Sequence, residues 1–581
     1  MKYTLSFPAP ETHYAEVRAE VPATGRAAVT LMMPVWTPGS YMVREYARHI
    51  DRLSASTAAG DELRAEKIRK NRWRIETKGE ERIVVHYRLY CREMSVRTNW
   101  VERDFAVLNG APTFLALLDD DAPAAVAYDI SLQLPKSWPL SHAPLPNIGG
   151  DKNRYRARDF DEVVDSPILA GDLAVYDFKL KGKTHYLVDL GEGGVWDGKR
   201  AAKDVKKIVD EHIRFWAEAP YEDYSFLNVI SEAGGGLEHK ASTMLMTSRW
   251  STRTEKSYRD WLRLASHEFF HVWNVKRMRP AALGPFDYEH EAYTEDLWFA
   301  EGATRYYESL LLFRAGLIDR DHLLAELSET IEAQQTRPGR KTQSVAESSY
   351  DAWIKLYRGN ENSANSTISY YTKGGVVSFL LDARIRRASD GNNCLDDVMR
   401  EAYRRYSGER GYTGEELRAL ISEVAGADLS DWLRLALDSV EELDYSEALN
   451  WYGLRFKPSE SAAEDGGETE NGWLGAKTRI DDGRLVVAQA PRETPAHTAG
   501  VNVGDEILAI DDYRVPPDGL ETRLEKYRPD EEVSMLVARR DRLVRLDVKL
   551  GREPLKSWTL EVDPDAGKEQ RKRLKSWLEG G

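Results

Sequence analysis

Between Tyr258 and Met278 the chain reads YRDWLRLASHEFFHVWNVKRM, with neither glycine nor proline, and no other stretch restricts the architecture as much. Trp261, Leu264, Val272 and Val275 recur at helical intervals and Pro280 forbids continuation, so the pattern predicts a helix over 258–278. On such a helix His267 and His271 stand four residues apart, on one face and about one turn apart in height. Two imidazoles so placed can each give a ring nitrogen to one Zn²⁺ at roughly 2.0–2.1 Å. Glu268, beside the first histidine, can reach a water at the metal rather than the metal itself.

A third protein ligand is needed downstream, and TEDLWFAEGATRYYE (294–308) reads as a second helix that offers Glu295, Asp296, Glu301 and Glu308. Acidic residues on helices mostly face water. Glu301, however, follows Leu297, Trp298, Phe299 and Ala300, which favour burial. A carboxylate in apolar surroundings needs a cation, and Zn²⁺ would supply one.

At 581 residues the chain is too long for a single core and implies about three to four domains. Its net charge of −15 argues against a nucleic-acid partner, which wants a basic face. The two cysteines, Cys91 and Cys394, make neither a disulfide framework nor a Cys-type zinc site. The N-terminal MKYTLSFPAPETHYAEV has no apolar signal core, and no apolar run approaches the ~18 residues of a membrane span. A cytoplasmic protein without a membrane partner is the expectation.

Residues 1–170 read as a β-rich domain, with alternating segments such as Ile83–Leu89 and Ala127–Leu134 between Pro, Gly and Asp turns. WTPGSYMVREY (36–46) lies within it. From 171 to 456 a helix over 201–217 and strand candidates Phe226–Ile230 and Ser242–Thr247 precede a mainly helical part. KPSESAAEDGGETENG (457–472) is nearly free of apolar residues and reads as a linker. A β-rich segment, 473–555, and a charged tail, 556–581, complete the chain.

H-E-x-x-H followed downstream by D-L-W-x-x-E-G is similar to the gluzincin aminopeptidases. GGLEH (235–239), HEFFHVWNVKR and the C-terminal segment together resemble the glycyl aminopeptidase family (M61) of that group. The resemblance implies an α+β multidomain fold: an N-terminal β-domain, a thermolysin-like zinc domain completed by helices, and a PDZ-like domain. It implies one Zn²⁺ held by His267, His271 and Glu301, with Glu268 as general base. It implies that Glu238 binds the substrate's free α-ammonium, while Gly235 and Gly236 let a peptide backbone approach and pair along that edge. In YYTKGG (370–375) it aligns Tyr371, rather than Tyr370, as the phenol that donates to the developing oxyanion. Asp296 would accept the free ring N–H of a zinc histidine. WLGAKT (473–478) looks like the carboxylate-binding loop of a PDZ domain, with Ala476 where such loops usually end in a large apolar residue.

The resemblance implies an aminopeptidase for peptides with a free N-terminus, with a preference for N-terminal glycine or alanine. Two alternatives are a zinc endopeptidase on the same scaffold and a non-catalytic scaffold that binds partners through the PDZ-like domain. An intact H-E-x-x-H with Glu301 argues against the scaffold. Cleavage of N-acetylated peptides would separate the endopeptidase.

Overall fold

The computed structural model describes residues 1–191, 193–458, 471–554 and 557–580. Most of the expected linker, 459–470, lies outside the described residues. The chain forms two compact units: one of 1–294, 307–318 and 399–417, the other of 295–306, 319–398 and 418–581. Among the described residues no helix is long and apolar enough to cross a membrane.

The first unit begins with three β-sheets of seven, four and five strands. The segments expected as strands are strands, Arg82–Tyr90 and Tyr128–Gln133, and their alternating residues feed a core that includes Val85, Tyr87, Leu89, Ile130 and Leu132. A further five-stranded sheet follows in the order Ala174–Leu180, Lys183–Gly191, Asp223–Ile230, Ser242–Thr247, Gly235–Glu238. Its three inner strands run parallel, and the helix Gly198–Trp216 makes the crossover between the first two. Gly235–Glu238 pairs antiparallel with Ser242–Thr247 and forms an edge. The compact units do not divide at residue 170. Phe105, Val107 and Leu169 share one core with Val188, Leu227 and Met244, so the β-rich segment and the mixed sheet cohere.

In the second unit, Trp298–Gly302 is a π-helical turn and Tyr370–Ala388 a long helix. They touch where Gly302 meets Gly374: a Cβ on either glycine would collide with the other's backbone. Strands Lys477–Asp481, Arg484–Gln489, Glu506–Ile510, Glu532–Arg539 and Arg542–Lys549 build the PDZ-like sheet over Leu474, Val487, Ile507 and Val537.

The segment expected as a charged tail is folded. Leu560–Val562 pairs antiparallel with Leu454–Phe456, and the helix Lys568–Glu579 buries Leu574, Trp577 and Leu578. Those three residues, spaced i, i+3, i+4, form an apolar stripe among charges that face solvent. Trp577 stacks on Tyr452, with ring centroids 4.8 Å apart, and donates to the Tyr306 hydroxyl at 2.6 Å.

Candidate active site

The helix carrying H-E-x-x-H spans Glu255–Phe270, where Thr254 caps it by accepting from the Ser257 N–H. It ends at His271, well before Pro280. The N–H groups of Val272 and Trp273 bond three residues back, to Phe269 and Phe270, which tightens the chain into turns. That turn aims the Asn274 carbonyl at His271 Nδ1, 2.6 Å away.

A carbonyl oxygen only accepts, so His271 Nδ1 carries the proton and its Nε2 keeps a lone pair. His267 Nδ1 lies 2.7 Å from the Glu308 carboxylate and is committed in the same way. The two Nε2 atoms then face each other at 3.1 Å. Such lone pairs repel unless a cation lies between them. Two nitrogens on one tetrahedral zinc at ~2.05 Å would stand about 3.3 Å apart. The donor set therefore fits the metal.

The helix that starts with the π-turn continues as Ala303–Arg314 and carries both Glu301 and Glu308. Seven residues is about two turns, so both carboxylates share a face. His267, His271 and Glu301 each offer a ligand atom, all within 4.8 Å of one another. π-turns recur at functional sites because the extra residue re-aims a side chain.

Glu238 ends the edge strand, is 3% exposed, and lies with Glu268 and His271 in a second set whose ligand atoms are within 4.8 Å. Its Oε1 is buried with no hydrogen-bond partner among the described residues. Glu268 rests against Gly236, where a Cβ would overlap its carboxylate, and Gly235 adopts φ +112°. Near Glu301, the Tyr371 phenol is pushed well above its ordinary pKa by burial, with the Glu301 charge adding to it. Tyr371 shares a hydroxyl contact of 3.2 Å with Tyr357.

The pattern of the Peptidase M61 N-terminal domain matches residues 2–172, that of M61 glycyl aminopeptidase matches 260–377, and that of the PDZ domain matches 472–550. The crystal structure of an aminopeptidase N family protein from Idiomarina loihiensis is 31% identical, with 99% of both chains covered and a TM-score of 0.92. This chain belongs to the M61 glycyl aminopeptidase family. It is a metallo-aminopeptidase. Two solved structures are more distant and show no more than a loose likeness. The M1 zinc metallopeptidase from Deinococcus radiodurans is 14% identical (76% of this chain, 94% of that one, TM-score 0.45). Native yeast LTA4 hydrolase is 13% identical (78%, 70%, TM-score 0.46). No curated protein matches the chain.

The ring Nδ1 atoms of the two histidines meet partners other than the expected Asp296. The ring partner expected of Asp296 is Glu308 for His267, and the Asn274 carbonyl for His271. The Asp296 backbone carbonyl accepts from Phe299 and Ala300 at the helix start, and burial pushes its carboxyl up to about 6. Glu308 was readable as the carboxylate seven residues after Glu301, and it is balanced by Arg263 at 3.6 Å.

No motif in the sequence marks Asp165. Its carboxylate takes the Lys276 ammonium at 2.7 Å, His239 Nδ1 at 3.2 Å and the Lys240 N–H at 2.7 Å. Burial opposes ionisation, yet Lys276 and His239 hold this carboxyl well below the usual range. The cluster joins the residue after Glu238 to the turns after His271. Asp165→Ala leaves the Lys276 ammonium buried and unpaired, so a loss of about 3–5 kcal/mol is expected, read as a lowered melting transition. The folded pKa is depressed, so this stabilisation is complete above the ordinary value of about 3.9 and disappears as pH falls through the folded value. Acid, not alkali, should melt the wild-type cluster.

Proposed function

We propose that this metallo-aminopeptidase uses one Zn²⁺ held by His267, His271 and Glu301 to remove a small N-terminal residue, glycine or alanine, from peptides. The observation that carries the reading is the pairing of two features: converging Nε2 atoms 3.1 Å apart, and a buried Glu238 oxygen without a partner among the described residues. The first calls for a metal cation and the second for an organic one, such as an α-ammonium. The small side chain is supported by the family description, glycyl aminopeptidase.

In this reading Glu238 pairs with the substrate's ammonium and so counts from the chain end. The edge strand Gly235–Glu238 aligns the backbone beside it. A bound zinc would polarise the scissile carbonyl and lower the pKa of water to about 7. Glu268 takes the proton of the attacking water and returns it to the leaving amine. The Tyr371 phenol, kept protonated, donates to the oxygen that becomes negative. Glu308 and the Asn274 carbonyl keep both histidines in the tautomer that presents Nε2.

Metal analysis tests the centre of this reading. About one equivalent of zinc per chain is expected, with chelation abolishing activity and zinc restoring it. Activity that survives complete zinc removal would overturn it.

A further inference from the structure

WTPGSY, 36–41, is a conspicuous motif in a domain with no part in the chemistry described so far. Its turn is anchored at its N-terminal end: the Val35 N–H donates to the Tyr288 carbonyl at 2.9 Å and Trp36 Nε1 to the Asp287 carbonyl at 2.8 Å. The Ser40 N–H closes the turn on the Thr37 carbonyl at 3.1 Å. Trp36 and Tyr41 are both buried.

The turn ends on Glu238. Gly39 sits at φ +87°, and a Cβ there would lie 2.7 Å from Glu238 Oε2 and closer still to Oε1. The Gly39 backbone thus lies directly against the carboxylate. A small pocket is lined by Trp36, Gly39 and Tyr41 on one side and by Glu238, Lys276 and Arg279 on the other, and none of His267, Glu268 and His271 lines it. Glu238 therefore has the metal-binding face on one side and the turn on another. Arg97, also from the N-terminal β-domain, donates to the Gly236 carbonyl at 3.4 Å. This domain reaches the substrate edge twice.

We propose that the Trp36–Tyr41 turn is the wall that closes the substrate cleft beyond the α-ammonium, so that the β-domain, with Gly39 as a positioning residue for Glu238, makes the enzyme an exopeptidase. The proposal rests on the reading that Glu238 binds the ammonium. It divides selectivity into two separable parts. Glu238 attracts a charged amine, and the turn excludes any group attached to it. An acyl cap or a preceding residue would extend from the nitrogen into space held by Gly39 and Tyr41.

Two variants test it, each assayed on a glycyl or alanyl substrate and its N-acetylated counterpart, with zinc content measured in parallel. Gly39→Ala puts a methyl group against the carboxylate and displaces it. KM for the free-amine substrate should rise by about tenfold or more, with kcat changed less and zinc retained. Tyr41→Ala opens the wall, so kcat/KM for the N-acetylated substrate should itself rise by about tenfold or more over wild type. A misfolded enzyme loses rates and does not gain one, so this variant decides the matter if Gly39→Ala fails to fold. A Tyr41→Ala enzyme as intolerant of the acetyl cap as wild type would overturn the wall. A Glu238→Ala enzyme of normal efficiency would instead remove the reading on which the wall rests, which keeps the two failures distinct.

Discussion

Glu268→Gln should lower turnover by about 10²–10⁴-fold while zinc stays at one equivalent per chain. The glutamine keeps the size of the side chain and its fit against Gly236, where a Cβ would overlap the carboxylate. It cannot accept a proton. The metal should remain because its proposed donors are His267, His271 and Glu301, whose ring tautomers depend on Glu308 and Asn274 and not on Glu268. KM should move little, since Glu268 acts on the water and not on the bound peptide. Zinc content and single-turnover rate measured on the same preparation decide it. If zinc leaves with the activity, Glu268 is structural. If turnover falls less than about tenfold, another group is the base.

The helical pattern around H-E-x-x-H was legible because local spacing alone puts two histidines on one face. Its end was not. The periodicity of Val272 and Val275 continues to Pro280, but the chain leaves the helix at His271 so that Asn274 can turn its carbonyl to the imidazole. A hydrogen bond of a ring to a backbone atom leaves no trace in hydrophobic period. The same holds for Asp296 and Glu308. Both sit on the downstream segment, and no spacing rule announces that Glu308 is the one hydrogen-bonded to His267 Nδ1.

The glycines of WFAEG and YYTKGG were readable as motif letters, while their reason is a contact. Gly302 and Gly374 let the π-turn and the Tyr370–Ala388 helix touch, which sets Tyr371 beside Glu301. Tyr370, one position earlier, is buried in the same helix. At the C-terminus a charge-rich composition hid the apolar stripe of Leu574, Trp577 and Leu578. Asp165 was invisible for another reason: its partners, His239, Lys240 and Lys276, are far away in sequence and meet only through the fold.

Glu238→Ala should cut kcat/KM for glycyl and alanyl substrates by about 10²–10³-fold with zinc retained, the equivalent of roughly 2–4 kcal/mol for an ion pair losing one partner in a partly desolvated cleft. Part of the loss should appear in kcat, because a substrate without its anchor rarely holds attack geometry. The fold should not suffer. Glu238 Oε1 is buried and accepts no hydrogen bond from the described residues, so its removal relieves a desolvation cost instead of breaking a contact. The melting transition should stay level or rise while efficiency collapses, a combination that a structural glutamate would not produce. The defect should also be confined to free-amine substrates, since the metal donors and Glu268 are untouched. An N-acetylated peptide, which has no ammonium to offer, should be a poor substrate for wild type and equally poor for the variant. Wild-type cleavage of that peptide at the rate of its free counterpart would refute the role of Glu238 and make the enzyme an endopeptidase.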